Sequence, residues 1–113
     1  MKAEKGWASG STVMLVLSLL GEQDMYGYQM IAELERRSEK VFSMKEGTLY
    51  PVLHALEQDG AVESYLADST AGKKRKYYRI TPRGNRLLQE KRKEWQRFCG
   101  AVKQVMGGLC REG

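Results

Sequence analysis

The side chains with the clearest chemistry form a basic run in the second half of the chain. Five of the seven residues from Lys73 to Arg79 are Lys or Arg. Ammonium and guanidinium groups at this density suit the phosphates of nucleic acid, which dominate the affinity of DNA-binding proteins. The alternative is a solvated edge strand that its charges protect against aggregation. The run alone does not separate these two interpretations.

Charge is distributed unevenly along the chain. The 113 residues carry a formal net charge of +5. Residues 1–60 contain six Lys or Arg and nine Asp or Glu, whereas residues 61–113 contain thirteen and five. Because the first half is net acidic, an attraction to phosphate must come from the second half.

No group of residues suits an enzyme active site or a metal centre. The only histidine, His54, lies far from Cys99 and Cys110, and these two cysteines are eleven residues apart, which is not a zinc-ligand spacing. No nucleophile, base and orienting group recur at workable spacing. We therefore expect no catalytic activity, no cofactor and no metal. Free thiols favour a cytoplasmic location, and the apolar run at 13–20 is too short to span a membrane.

The length favours one domain, and two helices open it. Residues from Trp7 to Leu20 are apolar on almost every side, which predicts a helix that must be covered on more than one side. A second copy of the chain is the simplest additional cover. Met25 to Arg37 has the spacing of an ordinary amphipathic helix.

A third helical segment, Ser43 to Gly60, has two different faces. Leu and Val recur at helical spacing on one face, while the opposite face is polar and aromatic. Ser43 and Glu46 fit a capping box. Pro51 implies that the regular helix begins near Tyr50 or that its first turn is distorted. An ordinary surface helix and an element that enters the DNA major groove both fit this pattern.

A β-hairpin and a long helix complete the chain. Ala61 to Ala67 and Lys74 to Thr81 have strand character, and a turn-forming loop joins them. Thr81 and Pro82 form a strong helix start. From Leu88 onward, apolar residues follow a 7, 3, 4, 3, 4 spacing, which is typical of a coiled-coil seam. A helix of roughly 25 residues exceeds what one small domain can cover, so we expect a second copy as its partner.

This order predicts a mainly α protein with a small β-hairpin: a winged helix-turn-helix followed by a long C-terminal dimerisation helix. Three segments carry a specific resemblance: MYGYQMIAELE at Met25 to Glu35, GTLYPVLHALEQDGAV at Gly47 to Val62, and KYYRITPRG at Lys76 to Gly84. Over residues 12–85 the chain resembles the PadR family of bacterial transcriptional regulators. Residues 1–81 are assigned to the DNA-binding part with its N-terminal dimer-contact helix. Residues 82–113 are assigned to the dimerisation helix, as in the shorter members of the family, and the two form one compact unit.

The resemblance implies a homodimer that represses a nearby gene by binding an inverted-repeat operator in double-stranded DNA and is released by a small molecule. The alternative is a winged-helix protein-interaction module without DNA binding, which the acidic first half favours and the basic hairpin opposes. A dimer that senses a ligand and signals only through proteins is a third option.

The hairpin, residues 61–81, is here called the wing, and it is expected to bind the DNA backbone while the third helix reads bases. The predicted phosphate contacts are Lys45, Lys73, Lys74, Arg75 and Lys76. The predicted base contacts are Thr48, Tyr50 and His54. For His54, the alternative is a solvated surface residue. Because strong base readers are few, DNA shape is expected to contribute to sequence preference.

A ligand site and a dimer interface are predicted to involve the first and the last helix. In some members of the family a pair of tryptophans on the last helix sandwiches flat aromatic ligands. By resemblance, an effector pocket at the dimer interface would involve Trp7, Trp95 and Phe98, and plain core packing is the alternative. The predicted dimerisation residues are Val13, Leu17, Leu88, Val102 and Val105. For Cys99 and Cys110, burial as small side chains is favoured over a pair across the dimer.

Overall fold

The computed structural model describes the backbone of residues 2–107 and the side chains of residues 11–107. Within this range, four helices and three strands follow one another: α1 Lys2–Glu22, β1 Met25–Tyr26, α2 Gly27–Arg37, α3 Glu46–Gln58, β2 Val62–Asp68, β3 Lys74–Ile80 and α4 Pro82–Met106. The strands form one antiparallel sheet in the order β1-β3-β2. The predicted fold class, a winged helix-turn-helix with a long last helix, is confirmed.

A single apolar core lies where α1, α2, α3 and one face of the sheet meet. Its α3 side is the Leu49, Leu53 and Leu56 face that helical spacing predicts. The start of α4 covers α1 through Leu88. The other buried apolar side chains are Val16, Leu17, Leu19, Leu20, Met25, Met30, Leu34, Ala61, Val62 and Tyr78.

The predicted capping box at Ser43 is wrong. Helix α3 begins at Glu46, and its N-cap is Lys45, whose side chain makes no capping hydrogen bond. The backbone closes the first turn instead, because the N–H groups of Thr48 and Leu49 both donate to the Lys45 carbonyl at 3.0 Å. Pro51 lies inside the helix, where it has no N–H to donate to the preceding turn.

The turn between α2 and α3 is tightly hydrogen-bonded and locally strained. Glu39 and Lys40 have φ angles of 52° and 72°, a left-handed conformation that costs roughly 1–2 kcal/mol for each residue other than glycine. Ser38 Oγ donates to the Leu34 carbonyl at 2.7 Å and accepts from the Phe42 N–H at 2.9 Å. The side chain of Ser38 thus holds together the two ends of a strained turn.

Ion pairs join the ends of α1 and α2. Arg37 lies 2.8 Å from both Glu22 and Glu33, and Arg36 also pairs with Glu33 at 2.8 Å. Hydrogen bonds from Arg36 and Arg37 lower the pKa of Glu33 to about 2. Because all these side chains are partly or fully solvated, the pairs orient the helix ends more than they stabilise the fold.

The predicted start of α4 is confirmed, and it forms a close joint with the base of the wing. Thr81 Oγ1 accepts from the Gly84 N–H at 3.1 Å and donates to the Gly60 carbonyl at 2.6 Å. The Thr81 N–H also donates to the Ala61 carbonyl at 3.1 Å. Gly84 is so close to this joint that a Cβ would overlap the Ala61 carbonyl oxygen. The end of α3, the wing and α4 therefore meet within a few residues.

The second half of α4 carries exposed apolar side chains. Val105 is 86% exposed, Met106 49% and Phe98 46%. Together with Ala101 and Val102 they line a shallow apolar surface. Among the residues that the structure describes, no helix is long and apolar enough to cross a membrane.

Candidate nucleic-acid interface

The outer face of α3 is exposed. Thr48, His54 and Gln58 lie on this face, opposite the buried leucines, and Lys45 is exposed at its start. Three of the residues predicted to contact DNA, Lys45, Thr48 and His54, are therefore placed where they can reach a ligand. An exposed helical face of this size is compatible with the width of the DNA major groove.

Tyr50 has a structural contact that the sequence did not indicate. Its hydroxyl lies against Gly27, the first residue of α2, so closely that a Cβ on Gly27 would overlap the hydroxyl and the ring. Burial, followed by the negative charge of Glu46, raises the pKa of Tyr50. The side chain is still 42% exposed. Tyr50 therefore packs the two helices of the helix-turn-helix together and keeps one side open to a ligand.

The wing is a regular antiparallel hairpin. Its pairs run from Val62 opposite Ile80 to Asp68 opposite Lys74. The connecting loop is closed by the Ser69 N–H, which donates to the Lys73 carbonyl at 2.8 Å. This pairing sets which side chains share a face, because successive residues of a strand point to opposite sides.

The basic run is divided between the two faces of the wing. Lys74 and Lys76 share the face of Tyr78, which is buried against the core. Lys76 lies beside α3, since its Nζ is 3.9 Å from Glu57 Oε1. Arg75 and Arg79 point to the opposite face, and Lys73 is exposed where the loop enters β3. The four predicted phosphate contacts of the wing, Lys73 to Lys76, therefore do not form one surface.

The face of the wing opposite Lys74 and Lys76 carries a cluster of tyrosines and arginines. The Arg75 guanidinium is 5.2 Å from the centre of the Tyr26 ring, and Arg79 is 4.9 Å from the centre of Tyr65. Tyr77 lies between the two rings, edge-on to Tyr26 at 5.3 Å and stacked on Tyr65 at 5.7 Å. These cation–π and aromatic contacts attach the wing to β1. The alternation of residues along β2 and β3 places Tyr65, Tyr77 and Arg79 on one face, so the sequence could have indicated this group. It could not have indicated Tyr26, which joins the group only through the two-residue strand β1.

The face that points toward α3 mixes lysines with carboxylates. Lys74 Nζ is 3.5 Å from Asp68 Oδ1 across the hairpin. Lys76 Nζ, besides its contact with Glu57, lies 5.7 Å from the centre of the Tyr78 ring. Both lysine side chains remain more than half exposed. Exposed pairs of this kind are weak, so the ammonium groups can exchange a carboxylate for a phosphate.

Two of the three residues predicted for an effector pocket lie together. The rings of Trp95 and Phe98 are stacked, with centroids 5.7 Å apart and an interplanar angle of 29°. Trp95 is half-buried, whereas Phe98 is exposed. The side chain of Trp7 lies outside the described residues.

The predicted dimerisation residues differ in the surface they present. Leu17 and Leu88 are buried in the core of the single chain, and Val13 and Val102 are half-buried. Val105 is almost fully exposed. Leu17 and Leu88 therefore have no free surface for a second copy, whereas the end of α4 does.

Groups that hold metal ions are not assembled in the described part of the chain. Within it, no three His, Cys, Asp or Glu side chains come close enough to hold a metal. Cys99 is a half-buried free thiol, and Cys110 lies beyond the described residues.

Known proteins share this arrangement. The family model described as "Transcriptional regulator PadR-like family" matches residues 16–90. The chain is 41% identical over 95 residues to "Uncharacterized protein X" of Lysinibacillus sphaericus, covering 84% of this chain and 87% of that protein. It is 34% identical over 95 residues to "Transcriptional regulator Rv3488" of Mycobacterium tuberculosis, covering 82% of this chain and 80% of that protein.

A solved structure agrees with the family model. The crystal structure of a PadR family transcriptional regulator from Eggerthella lenta superimposes with a TM-score of 0.75 at 32% identity, covering 93% of this chain and 89% of that one. With its exposed α3 face, its basic wing and its long last helix, the chain belongs to the PadR-like family of transcriptional regulators.

Proposed function

We propose that this protein is a homodimeric repressor that binds an inverted-repeat operator in double-stranded DNA. The observation that carries the proposal is the contact between the wing and α3: Lys76 Nζ lies 3.9 Å from Glu57 Oε1 in the last turn of that helix, and Lys74 shares the face of Lys76. Phosphate contacts fix the register of a protein on DNA, while groove contacts read the sequence. The contact between Lys76 and Glu57 supports a single DNA-binding surface made of the wing and α3.

The wing and α3 are expected to make different contacts with DNA. Lys73, Lys74 and Lys76 bind phosphates, and Lys45 adds a contact at the start of α3. Thr48 and His54 reach base edges, and the open side of Tyr50 contacts thymine methyl groups or accepts a hydrogen bond. Because the outer face of α3 has few side chains that make bidentate base contacts, DNA shape supplies part of the preference.

A homodimer follows from the exposed apolar end of α4. Burying Phe98, Val105 and Met106 against a second copy removes apolar surface from water, which is the main driving force of association. A two-fold dimer presents two α3 helices to half-sites about one helical turn, or roughly 34 Å, apart. This symmetry matches an inverted repeat.

DNA binding is tested with the DNA that lies upstream of the protein's own gene. We expect fluorescence anisotropy to show binding of this duplex that is at least about a hundredfold tighter than binding of a scrambled duplex with the same composition. Affinity should fall as salt rises, because counterions are released on binding. Equal affinity for the two duplexes, or no binding at low salt, would contradict the proposal.

A protein-interaction module without DNA binding is the second candidate function. Acidic side chains on α3 favour it, since Glu46 is exposed in the first turn and Glu57 lies in the last. Carboxylates on this helix repel phosphate and attract basic partners. The same titration separates the two candidates, because an interaction module would leave both duplexes unbound.

We further propose that a small, flat aromatic compound releases the repressor by binding beside Trp95. The stacked rings of Trp95 and Phe98 on the exposed half of α4 support this proposal, since a flat ligand stacks favourably on such rings. The ligand would bind at the dimer interface and change the spacing of the two α3 helices.

Tryptophan fluorescence tests this ligand site. The chain has two tryptophans, so a Trp7→Phe variant reports on Trp95 alone. A panel of flat aromatic compounds is expected to quench its fluorescence saturably, since a bound ring would stack on the indole. The Trp95→Phe variant is the control and should show no saturable quenching. Linear, collisional quenching in both variants would assign Trp95 to plain packing.

A further inference from the structure

Glu57 occupies a position that is unfavourable for a carboxylate within its own helix. It lies in the last turn of α3, where the helix dipole favours positive charge, and that turn contains no basic residue. It also adds a negative charge next to the lysines of the wing. Neither helix stability nor phosphate affinity accounts for a glutamate here.

The contacts of Glu57 lie on the wing. Its Oε2 accepts a hydrogen bond from Ser64 Oγ of β2 at 2.6 Å. Its Oε1 lies 3.9 Å from Lys76 Nζ of β3. A single carboxylate therefore connects the end of α3 to both strands of the wing, and it is two-thirds shielded from solvent.

We propose that Glu57 is a positioning and specificity-determining residue, which holds Lys76 at a fixed place relative to α3 and competes with DNA phosphates for it. This inference rests on the proposed DNA binding. Non-specific binding is almost entirely electrostatic. The carboxylate of Glu57 beside Lys76 therefore lowers the affinity for non-specific DNA. In the operator complex the base contacts of α3 fix the register, so a phosphate meets Lys76 where Glu57 holds it. Non-specific complexes lack this register, and their phosphates must draw Lys76 away from the carboxylate. Glu57 therefore widens the ratio between operator and non-specific affinity.

Three single substitutions separate the charge of Glu57 from its hydrogen bond. Glu57→Gln removes the charge and keeps an oxygen that accepts from Ser64. Ser64→Ala removes the hydrogen bond and keeps the charge. Glu63→Gln is the matched control, because Glu63 is a carboxylate on the opposite face of the wing, 3.6 Å from Arg79.

Each variant is titrated with the upstream duplex and with the scrambled duplex over a range of salt. Glu57→Gln is expected to bind the scrambled duplex about three- to fivefold more tightly per protomer, because one half-buried competing charge is removed. Its salt slope should steepen by about 0.9 for each additional phosphate that Lys76 neutralises. Operator affinity should change less, so the specificity ratio should fall.

The other two variants complete the test. Ser64→Ala should lower operator affinity severalfold and leave the salt slope unchanged, because the competing charge remains. Glu63→Gln should leave the specificity ratio unchanged. A Glu57→Gln protein with the ratio and salt slope of Glu63→Gln would overturn the inference while leaving the proposed function intact. A wild-type protein that does not prefer its upstream duplex would overturn both.

Discussion

Replacing Gly84 with alanine is expected to lower the free energy of unfolding by roughly 3 kcal/mol, the upper range for overpacking a closed site. The new Cβ would overlap the Ala61 carbonyl oxygen and come within 2.7 Å of Ile80 Cγ1. The Ile80 side chain can move aside. The Ala61 carbonyl cannot, because it belongs to the backbone and accepts the Thr81 N–H. Denaturant unfolding followed by circular dichroism measures the change.

Gly100 provides the matched control within the same helix. A Cβ there would meet no atom within 4 Å, and helical spacing places position 100 away from Phe98 and Val102. Gly100→Ala is therefore expected to raise the free energy of unfolding by about 0.5–1 kcal/mol. Both variants are compared at one protein concentration, because association makes stability concentration-dependent. Equal effects of the two substitutions would show that the joint at Gly84 tolerates a side chain.

Replacing the four consecutive basic residues of the wing, Lys73 to Lys76, with alanine is expected to weaken DNA affinity at least about a hundredfold at low salt. The reason is that residues 1–60 are net acidic and cannot supply this attraction. The salt slope should become shallower by about 0.9 for each phosphate that the wing no longer neutralises. Anisotropy titration at several salt concentrations gives both quantities.

A control with the same reduction of charge distinguishes the wing from the overall field of the protein. Exposed basic residues of α4 provide it: Arg86, Arg92, Lys93 and Arg97. Alanine at these four positions should reduce affinity less than the wing variant does, because long-range attraction is screened beyond about 10 Å. If the wing variant and the α4 variant weaken DNA affinity equally, the net charge of the protein governs binding and the wing makes no specific contribution.

The double substitutions Lys74→Ala with Lys76→Ala, and Arg75→Ala with Arg79→Ala, extend this comparison. The lysine pair lies on the face toward α3 and should account for most of the decrease in affinity. The arginine pair contacts Tyr26 and Tyr65, so its removal should mainly loosen the wing.

Elements with strong local signals were predictable from the sequence. Thr81 and Pro82 mark the start of α4 because an N-cap and a fixed φ angle act within a few residues. The same local logic failed at Ser43, since a Ser and a Glu three residues apart permit a capping box but do not enforce one. The strand at Met25 and Tyr26 was not predictable as a strand, because only its pairing with Tyr77 and Tyr78 defines it.

The candidate site was predictable in composition but not in geometry. Alternation divides Lys74 and Lys76 from Arg75, but only the packing of Tyr78 against the core shows which face lies toward α3. The contact between Tyr50 and Gly27 joins residues 23 positions apart, and no local pattern encodes it. The pairing of Glu57 with Ser64 and Lys76 depends on the same tertiary packing.

The close joint around Thr81 and Gly84 couples the orientation of α4 to the wing and to the end of α3. A helix of 25 residues is about 37 Å long, so a tilt of about 5° about this joint moves its far end by about 3 Å. The hydrogen bonds of Thr81 to Gly60 and Ala61 fix the start of α4 to the end of α3 and the base of the wing. In the proposed homodimer, a small displacement between the far ends of the two α4 helices is therefore expected to rotate the base of each wing and the end of each α3.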